Sequence, residues 1–301
     1  MNSFKSIQAP AKLNLNLFIT GKSSNGLHLL NSHICFLELT DQIFIRNNSQ
    51  DVFYQISNSK SLLIDRDNNL ILNTIDVFRR YTNWKQNFKV ILDKKIPIGA
   101  GLGGGSADAA ATLILLKHLH NIDKNNKEKI KQSALYKIAL SLGSDVPACL
   151  KSRDLILSGF GEKLQNCNIP NNYYFLLINP NIHLSTKDVF THYKKNKIQD
   201  NHSISFANLQ IYNSLLSSAI FLVPEISNII IELKKAKNII TFGMTGSGST
   251  CFGIFKNIED IKIFLGKFNK NIRIPYYTWY GAKKNYSFNR ITNSKVLENN
   301  F

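Results

Sequence analysis

Residues 97–110 read PIGAGLGGGSADAA, five glycines among fourteen residues, followed at once by the helix-forming run ATLILLKHLH. Each glycine ordered within regular structure costs roughly 0.5 to 1 kcal/mol relative to alanine. A cluster this dense marks a backbone task that side chains would obstruct. A glycine-rich turn opening into a helix presents backbone N–H groups at the positive end of the helix dipole, an arrangement that binds phosphate. Ser106 is placed to cap that helix and to offer its hydroxyl to the anion.

Two phosphate-loop designs do not fit. The P-loop needs a lysine and a Ser or Thr after its last glycine, whereas Ser106 is followed by Ala107 and Asp108. GAGLGG at 99–104 formally matches the dinucleotide fingerprint, which sits at the end of its first strand. Here Asp93, Lys94, Lys95 and Pro97 intervene, and the loop-like HLHNIDKNNK stands where an acid-ending second strand belongs.

The chain has 301 residues, 44% of them hydrophobic, enough for a large core in one or two domains. It carries no uninterrupted apolar run of 18 residues, so no membrane span is expected. MNSFKSIQAPAKLNLNLF has neither a secretory nor an import pattern. The expected location is the cytoplasm. Net charge is +17, but the lysines are scattered and their runs, such as Lys194-Lys195 and Lys283-Lys284, are short. This reads as a solvated basic surface that favours an anionic small substrate, with no nucleic-acid partner expected. Cys35, Cys149, Cys167 and Cys251 lie far apart without ligand spacing, as free buried thiols do.

AKLNLNLFITG alternates strictly, predicting a strand with Leu13, Leu15 and Leu17 buried and Lys12, Asn14 and Asn16 on a polar face. HICFLEL and QIFIRN read as two further strands and DVFYQIS as another. NNLILNTIDVFRRY at 68–81 carries a helical stripe, Ser106 to about His120 is helical, and a later helix ends at Leu142 against Gly143. Beyond Lys151 the pattern predicts a strand at YYFLLINP, a helix at 185–193, helical segments near 207–237, and a tight turn at MTGSGST. Asp145 falls in a short turn between Gly143 and Pro147, from which its carboxylate can enter a cleft as a general base or simply stabilise the turn. Asp108 reads as a first-turn acid favoured by the helix dipole.

The remaining loop design is Pro-x-x-x-Gly-Leu-Gly-x-x-x-Ala. At Pro97, Gly101, Leu102, Gly103 and Ser106 this sequence resembles the GHMP small-molecule kinases, which include galactokinase, homoserine kinase and mevalonate kinase. The resemblance extends to PAKLNLNLFITG with GLH at 26–28, LGSDVPACL at 142–150 and MTGSGSTCFGIF at 244–255. It implies an α+β protein of two domains, 1–155 like domain 2 of ribosomal protein S5 and 156–301 ferredoxin-like. It also implies ATP and Mg²⁺ as cofactors and a kinase reaction on an alcohol. The first motif is similar to the branch of the family that phosphorylates the C2 hydroxyl of a methylerythritol bearing a cytidine diphosphate, on the non-mevalonate route to isoprenoids. Another GHMP alcohol kinase and a non-catalytic nucleotide or nucleic-acid binder stay open as alternatives, and the oligomeric state is open, a homodimer included.

Site roles follow from the same resemblance. Lys12 and Asp145 are the implied catalytic pair. Pro97, Ile98, Gly99, Ala100, Gly101, Leu102, Gly103, Gly104, Gly105, Ser106 and Ala107 wrap the ATP phosphates, with Ser106 a candidate Mg²⁺ ligand. Asn69 and Lys94 or Lys95 approach the adenosine. Asn14, His28, Phe190, Thr245, Gly246 and Ser247 face the substrate, His28 at the cytosine edge and Phe190 against its face. Leu27 replaces the tyrosine common in the family, removing half of the implied stack.

Overall fold

The computed structural model describes residues 3–24, 26–57, 60–63, 69–126, 128–195, 204–271, 276–287 and 290–294. The chain enters through β1 (Phe4–Asn14), β2 (Phe18–Lys22), β3 (His28–Asn48), β4 (Val52–Ser57) and β5 (Lys60–Leu63). Then come α1 (Leu70–Thr82), β6 (Asn87–Asp93), α2 (Gly104–Ile122), α3 (Gln132–Leu142), α4 (Val146–Lys151), β7 (Leu155–Gly159) and β8 (Lys163–Asn166). β3 is the spine of this sheet: its first half pairs with β2 and β7, its second with β6, and β1 runs antiparallel along it. β4 lies parallel to β6. Ile43, Ile45, Val90 and Leu92 of the sheet meet Ile75 and Phe78 of α1 and the apolar length of α2 in the main core.

β3 corrects the expectation of two strands at HICFLEL and QIFIRN. Only Thr40 and Asp41 separate the two stretches, and the strand runs through them. Asp41 is fully buried there because its carboxylate accepts the N–H groups of Lys95 and Ile96 at 2.6 and 2.8 Å and the Lys94 ammonium at 2.6 Å. A buried acid so satisfied need not end a strand. α1 follows its expected stripe, with Asn69 capping the N–H groups of Ile71 and Leu72. α3 closes where Gly143, its C-cap, bonds back to Ala139.

The second unit contains β9 (Tyr174–Asn179), α5 (Thr186–Lys195), β10 (Ile204–Phe206), β11 (Leu209–Ile211), α6 (Leu216–Leu222) and α7 (Glu225–Lys234). It continues with β12 (Ile239–Met244), β13 (Cys251–Phe255), α8 (Ile258–Asn271), β14 (Tyr277–Ala282) and β15 (Thr292–Ser294). Its sheet has the order β12-β13-β9-β14, every pair antiparallel. Two helical crossovers joining strands in that order make the ferredoxin-like arrangement, as the resemblance implies. Part of the stretch expected to be helical is instead a hairpin of β10 and β11, turned by Ala207 and Asn208 at φ 48° and 66°. Residues 196–203 of the polar stretch lie outside the described residues.

The two units share more chain than a single boundary suggests. The expected division at 155/156 falls at the start of β7, which pairs with β3, while β15 returns to pair with β1. Between them the Tyr286 hydroxyl donates to the Leu37 carbonyl at 3.0 Å. Cys35, Cys149 and Cys251 are buried, but Cys167 is partly exposed, against the expectation for all four. Among the described residues no helix is long and apolar enough to cross a membrane.

Candidate active site

The alternating strand at the start of the chain holds the first surprise. Lys12, Asn14 and Asn16 do not form a solvated face: they are 4%, 3% and 2% exposed. Two glycine turns cover them. The Lys12 N–H donates to the Leu102 carbonyl at 2.8 Å, and the Asn14 N–H donates to Thr245 Oγ1 at 2.9 Å. The turns also touch each other, since Thr250 N–H reaches the Ala100 carbonyl at 3.3 Å and Thr245 Oγ1 donates to the Gly101 carbonyl at 3.3 Å. Gly101 is required at this crossing: at φ 72°, a Cβ would lie 2.5 Å from the Thr245 carbonyl oxygen.

The glycine loop then opens into α2, two residues earlier than expected. Gly103, at φ 63°, is the N-cap, so Ser106 is the third helical residue and not the cap. By helix geometry the N–H groups of Gly104, Gly105 and Ser106 have no partner within α2. A Cβ on Gly103 would press on Lys12 Cε at 3.1 Å, and one on Gly104 on Ile96 Cγ2 at 3.0 Å. The cradle is thus kept open by the lack of side chains. Pro97 through Ser106 line a cavity of about 530 Å³, with Ile98 70% exposed at its edge; Ala107 is buried behind the loop.

Lys12 and Asp145 enter the same cavity from opposite elements. Asp145 is the N-cap residue of α4, and its side chain makes no capping bond. It turns to Lys12 instead, with Oδ2 3.1 Å from the ammonium nitrogen. The ammonium also donates to Asn14 Oδ1 at 2.8 Å, and Asn14 Nδ2 donates to Ser32 Oγ at 2.7 Å. Ser32 donates in turn to the Asn16 carbonyl. The Lys12 ammonium is therefore held between Asn14 in the core and Asp145, which keeps 35% of its side chain exposed to the cleft.

Of the substrate-facing candidates, Asn14, Phe190, Gly246 and Ser247 line the cavity and Thr245 does not. Thr245 is fully buried, a strut between β1 and the loop. Ser247 Oγ is 2.8 Å from Thr186 Oγ1, which brings α5 to the second turn. His28 lies behind Phe190, ring centroids 5.1 Å apart, and meets Tyr193 edge-on at 5.8 Å. Burial, with help from Lys22 and Lys194, lowers the His28 pKa, and both its ring nitrogens lack partners among the described residues. Leu27 is 53% exposed and outside the cavity wall. The sequence reading missed Tyr193, Ser32 and Asn213; Asn213 Nδ2 donates to the Met244 and Gly246 carbonyls at 2.8 and 2.9 Å and so holds the second turn. No local pattern marks these residues, because each acts across a long sequence separation.

Beneath the loop, Asp108 is not an exposed first-turn acid. It is 3% exposed and accepts Lys94 at 2.7 Å, completing a buried Asp41–Lys94–Asp108 chain. Lys94 is thereby committed to two carboxylates, Lys95 pairs with Asp93 at 3.4 Å, and Asn69 serves as a cap while lining the cavity. Among the described residues no three His, Cys, Asp or Glu side chains gather to hold a metal by themselves.

Comparison with known proteins gives this geometry relatives. Residues 69–153 match the family described as GHMP kinases N terminal domain, and residues 197–273 match GHMP kinases C terminal. The 4-diphosphocytidyl-2-C-methyl-D-erythritol kinase of Ehrlichia canis (strain Jake) is 38% identical over 270 residues, 84% of this chain and 90% of that protein. The protein of the same name from Prochlorococcus marinus (strain MIT 9301) is 32% identical over 279 residues, 85% and 87% of the two chains. A crystal structure of 4-(cytidine 5'-diphospho)-2C-methyl-D-erythritol kinase superposes with a TM-score of 0.72 at 23% identity, covering 92% of this chain and 98% of that one.

Proposed function

The chain belongs to the 4-diphosphocytidyl-2-C-methyl-D-erythritol kinase family of the GHMP kinases, and from that membership we propose that it transfers the γ-phosphoryl group of ATP to the C2 hydroxyl of 4-diphosphocytidyl-2-C-methyl-D-erythritol. It is a small-molecule kinase. The observation that carries the substrate-level reading is the Lys12–Asp145 pair, set at 3.1 Å in the same cavity as the glycine cradle and Phe190. The reaction belongs to isoprenoid biosynthesis and takes place in the cytoplasm.

In this reading the free N–H groups at the start of α2 and the loop backbone hold the ATP phosphates. Mg²⁺ in phosphoryl transfer binds chiefly through substrate phosphates and one or two protein oxygens. The open cradle, with Ser106 on its wall, fits a metal delivered in that way, and the ion would neutralise charge on the phosphates. The acceptor oxygen attacks the γ-phosphorus while the bond to the ADP oxygen breaks, and ADP departs with that electron pair. Asp145 takes the hydroxyl proton. Lys12, held by Asn14, stabilises the carboxylate and the charge spreading on the transferring group. Phe190 and the neutral His28 ring receive the cytosine, one by stacking and the other through its unused nitrogens. Ser247 and Gly246 close on the substrate diphosphate.

The test is a coupled assay of ADP release with ATP, Mg²⁺ and the cytidine substrate, homoserine and mevalonate serving as controls. The Asp145→Asn variant is expected to lose turnover while still binding ATP. Turnover of a control alcohol alone would overturn the substrate, and near-normal turnover in Asp145→Asn would remove that residue as the base.

A further inference from the structure

Ser32 stands on β3 opposite Leu157 of β7, is buried, and lies in the cavity wall although it falls outside the motifs that mark the rest of the site. Its hydroxyl has one proton, and that proton goes to the Asn16 carbonyl, a group that can only accept. Towards Asn14 the Ser32 oxygen is therefore an acceptor, and the group 2.7 Å from it is the Asn14 NH₂. With its NH₂ committed to Ser32, the Asn14 amide turns its oxygen to the Lys12 ammonium at 2.8 Å, and the ammonium lies 3.1 Å from Asp145. The direction of every bond in this chain is thus set at the Asn16 end. Asn16 is pinned from both units: its Oδ1 accepts the His33 N–H at 2.7 Å, and its Nδ2 donates to the Gln210 carbonyl of β11 at 2.9 Å.

With oxygen and nitrogen exchanged, the Asn14 amide would aim N–H groups at the ammonium and set its oxygen against a Ser32 oxygen whose proton is already spent. Burial makes both contacts costly, because unpaired polar groups there have no water to turn to. Ser32 therefore passes the polarity of a fixed backbone carbonyl to Lys12 through a single amide. Without the hydroxyl the buried NH₂ loses the acceptor it has, and satisfying it requires the amide to swing and release Lys12. We infer that Ser32 is a positioning residue for phosphoryl transfer, which holds the Lys12 ammonium against Asp145 through the Asn14 amide; this rests on Lys12 and Asp145 being the catalytic pair.

Steady-state kinetics of Ser32→Ala, Asn14→Ala and the double variant with ATP, Mg²⁺ and the cytidine substrate test this. Ser32→Ala is expected to lower kcat by about 10- to 100-fold, the scale on which a small misplacement acts. KM for both substrates should stay within threefold, and affinity for a non-hydrolysable ATP analogue should be unchanged, which also shows that the variant folds. Ser32→Thr, which keeps the hydroxyl, should restore kcat to within threefold of wild type. In the Asn14→Ala background Ser32→Ala should change kcat by less than twofold, since the amide through which it acts is gone. An unchanged kcat or a loss confined to KM in Ser32→Ala, a threonine variant as impaired as alanine, or an equal loss in the Asn14→Ala background overturns the inference. Wild-type inactivity towards the cytidine substrate would instead strike the kinase reading; a crystal structure of Ser32→Ala then decides, with Lys12 Nζ still within about 4 Å of the Asp145 carboxylate overturning the inference and a wider separation upholding it.

Discussion

Replacing Asp108 by asparagine probes the foundation on which the glycine loop rests. The Asp41–Lys94–Asp108 chain places two carboxylates around one ammonium in the core. Asp41 accepts two backbone N–H groups as well as Lys94, whereas Asp108 Oδ1 has no partner among the described residues. Burial therefore pushes the Asp108 pKa up to about 8, with Lys94 opposing the rise and Asp41 adding to it. Lys94 itself is held above its usual range, the two carboxylates outweighing burial. Of the two acids, Asp108 is therefore the one whose folded surroundings favour the proton. Because its pKa is higher in the folded chain than in the unfolded one, the folded state retains a proton that the unfolded state releases between about pH 4 and pH 8. Stability from this group is complete below that window and is lost as pH rises through it, at ~1.36 kcal/mol per unit. The loss amounts to about 3 to 5 kcal/mol on reaching pH 8. Asparagine still offers Lys94 an oxygen but does not titrate. Urea unfolding of both proteins at pH 5, 6.5, 8 and 9 is expected to show the wild type losing stability relative to Asp108→Asn up to pH 8 and running parallel to it above. A difference that stays constant within about 0.5 kcal/mol, or that grows in the opposite direction, would refute the assignment of the proton to Asp108.

Three other substitutions act on different parts of the site. Gly101→Ala places a Cβ 2.5 Å from the Thr245 carbonyl oxygen and 2.7 Å from that of Gly248; stability should fall by about 1 to 3 kcal/mol, with kcat/KM down at least tenfold, and unchanged kinetics would mean that the interlocked turns do not set the cradle. Phe190→Ala should raise KM for the cytidine substrate by about 5- to 150-fold, from a stacking energy of about 1 to 3 kcal/mol, with kcat within twofold; a fall confined to kcat would place cytosine elsewhere. Lys12→Met leaves Asp145 without its 3.1 Å cation and should lower kcat by about 10²- to 10³-fold with little change in ATP affinity, whereas a rise in KM alone would make Lys12 a binding group.

What was legible in the sequence divides by the range of the interaction that decides each residue. The glycine loop could be read because its constraint is local: positive φ at Gly99, Gly101 and Gly103 and free N–H groups at a helix start demand glycine wherever they occur. Gly143 was legible for the same reason, as a helix end, whereas Asn69 was read only as a neighbour of the adenosine and its capping of α1 came from the structure. Lys12 and Asp145 were found by their motifs, since 133 positions of sequence separate two atoms that lie 3.1 Å apart. The strand that holds Asp41 was split in two, because an acid inside an apolar run interrupts the strand pattern until Lys94, Lys95 and Ile96 return to it from the end of β6. Asp108 was misread in a different way. With the helix read from Ser106 it fell in the first turn, where an exposed acid favours the dipole; α2 begins at Gly104, which puts Asp108 fifth in the helix and buried against the Lys94 ammonium.

The same reasoning explains why the loop tolerates so many glycines. Asp41 fixes the N–H groups of Lys95 and Ile96, Pro97 fixes its own φ, and the Gly101 carbonyl accepts Thr245, so the entropy that glycine costs is offset by anchors before and within the turn. The carboxylate beneath α2 carries no net charge while Asp108 is protonated, so the N-terminal dipole is left to attract phosphate. A fully ionised acid in that position would cancel the field the cradle depends on. Asp108 protonation is thus expected to support both the stability of the loop and its affinity for an anion, and weakening of ATP binding above pH 8 in the wild type, absent in Asp108→Asn, would link the two.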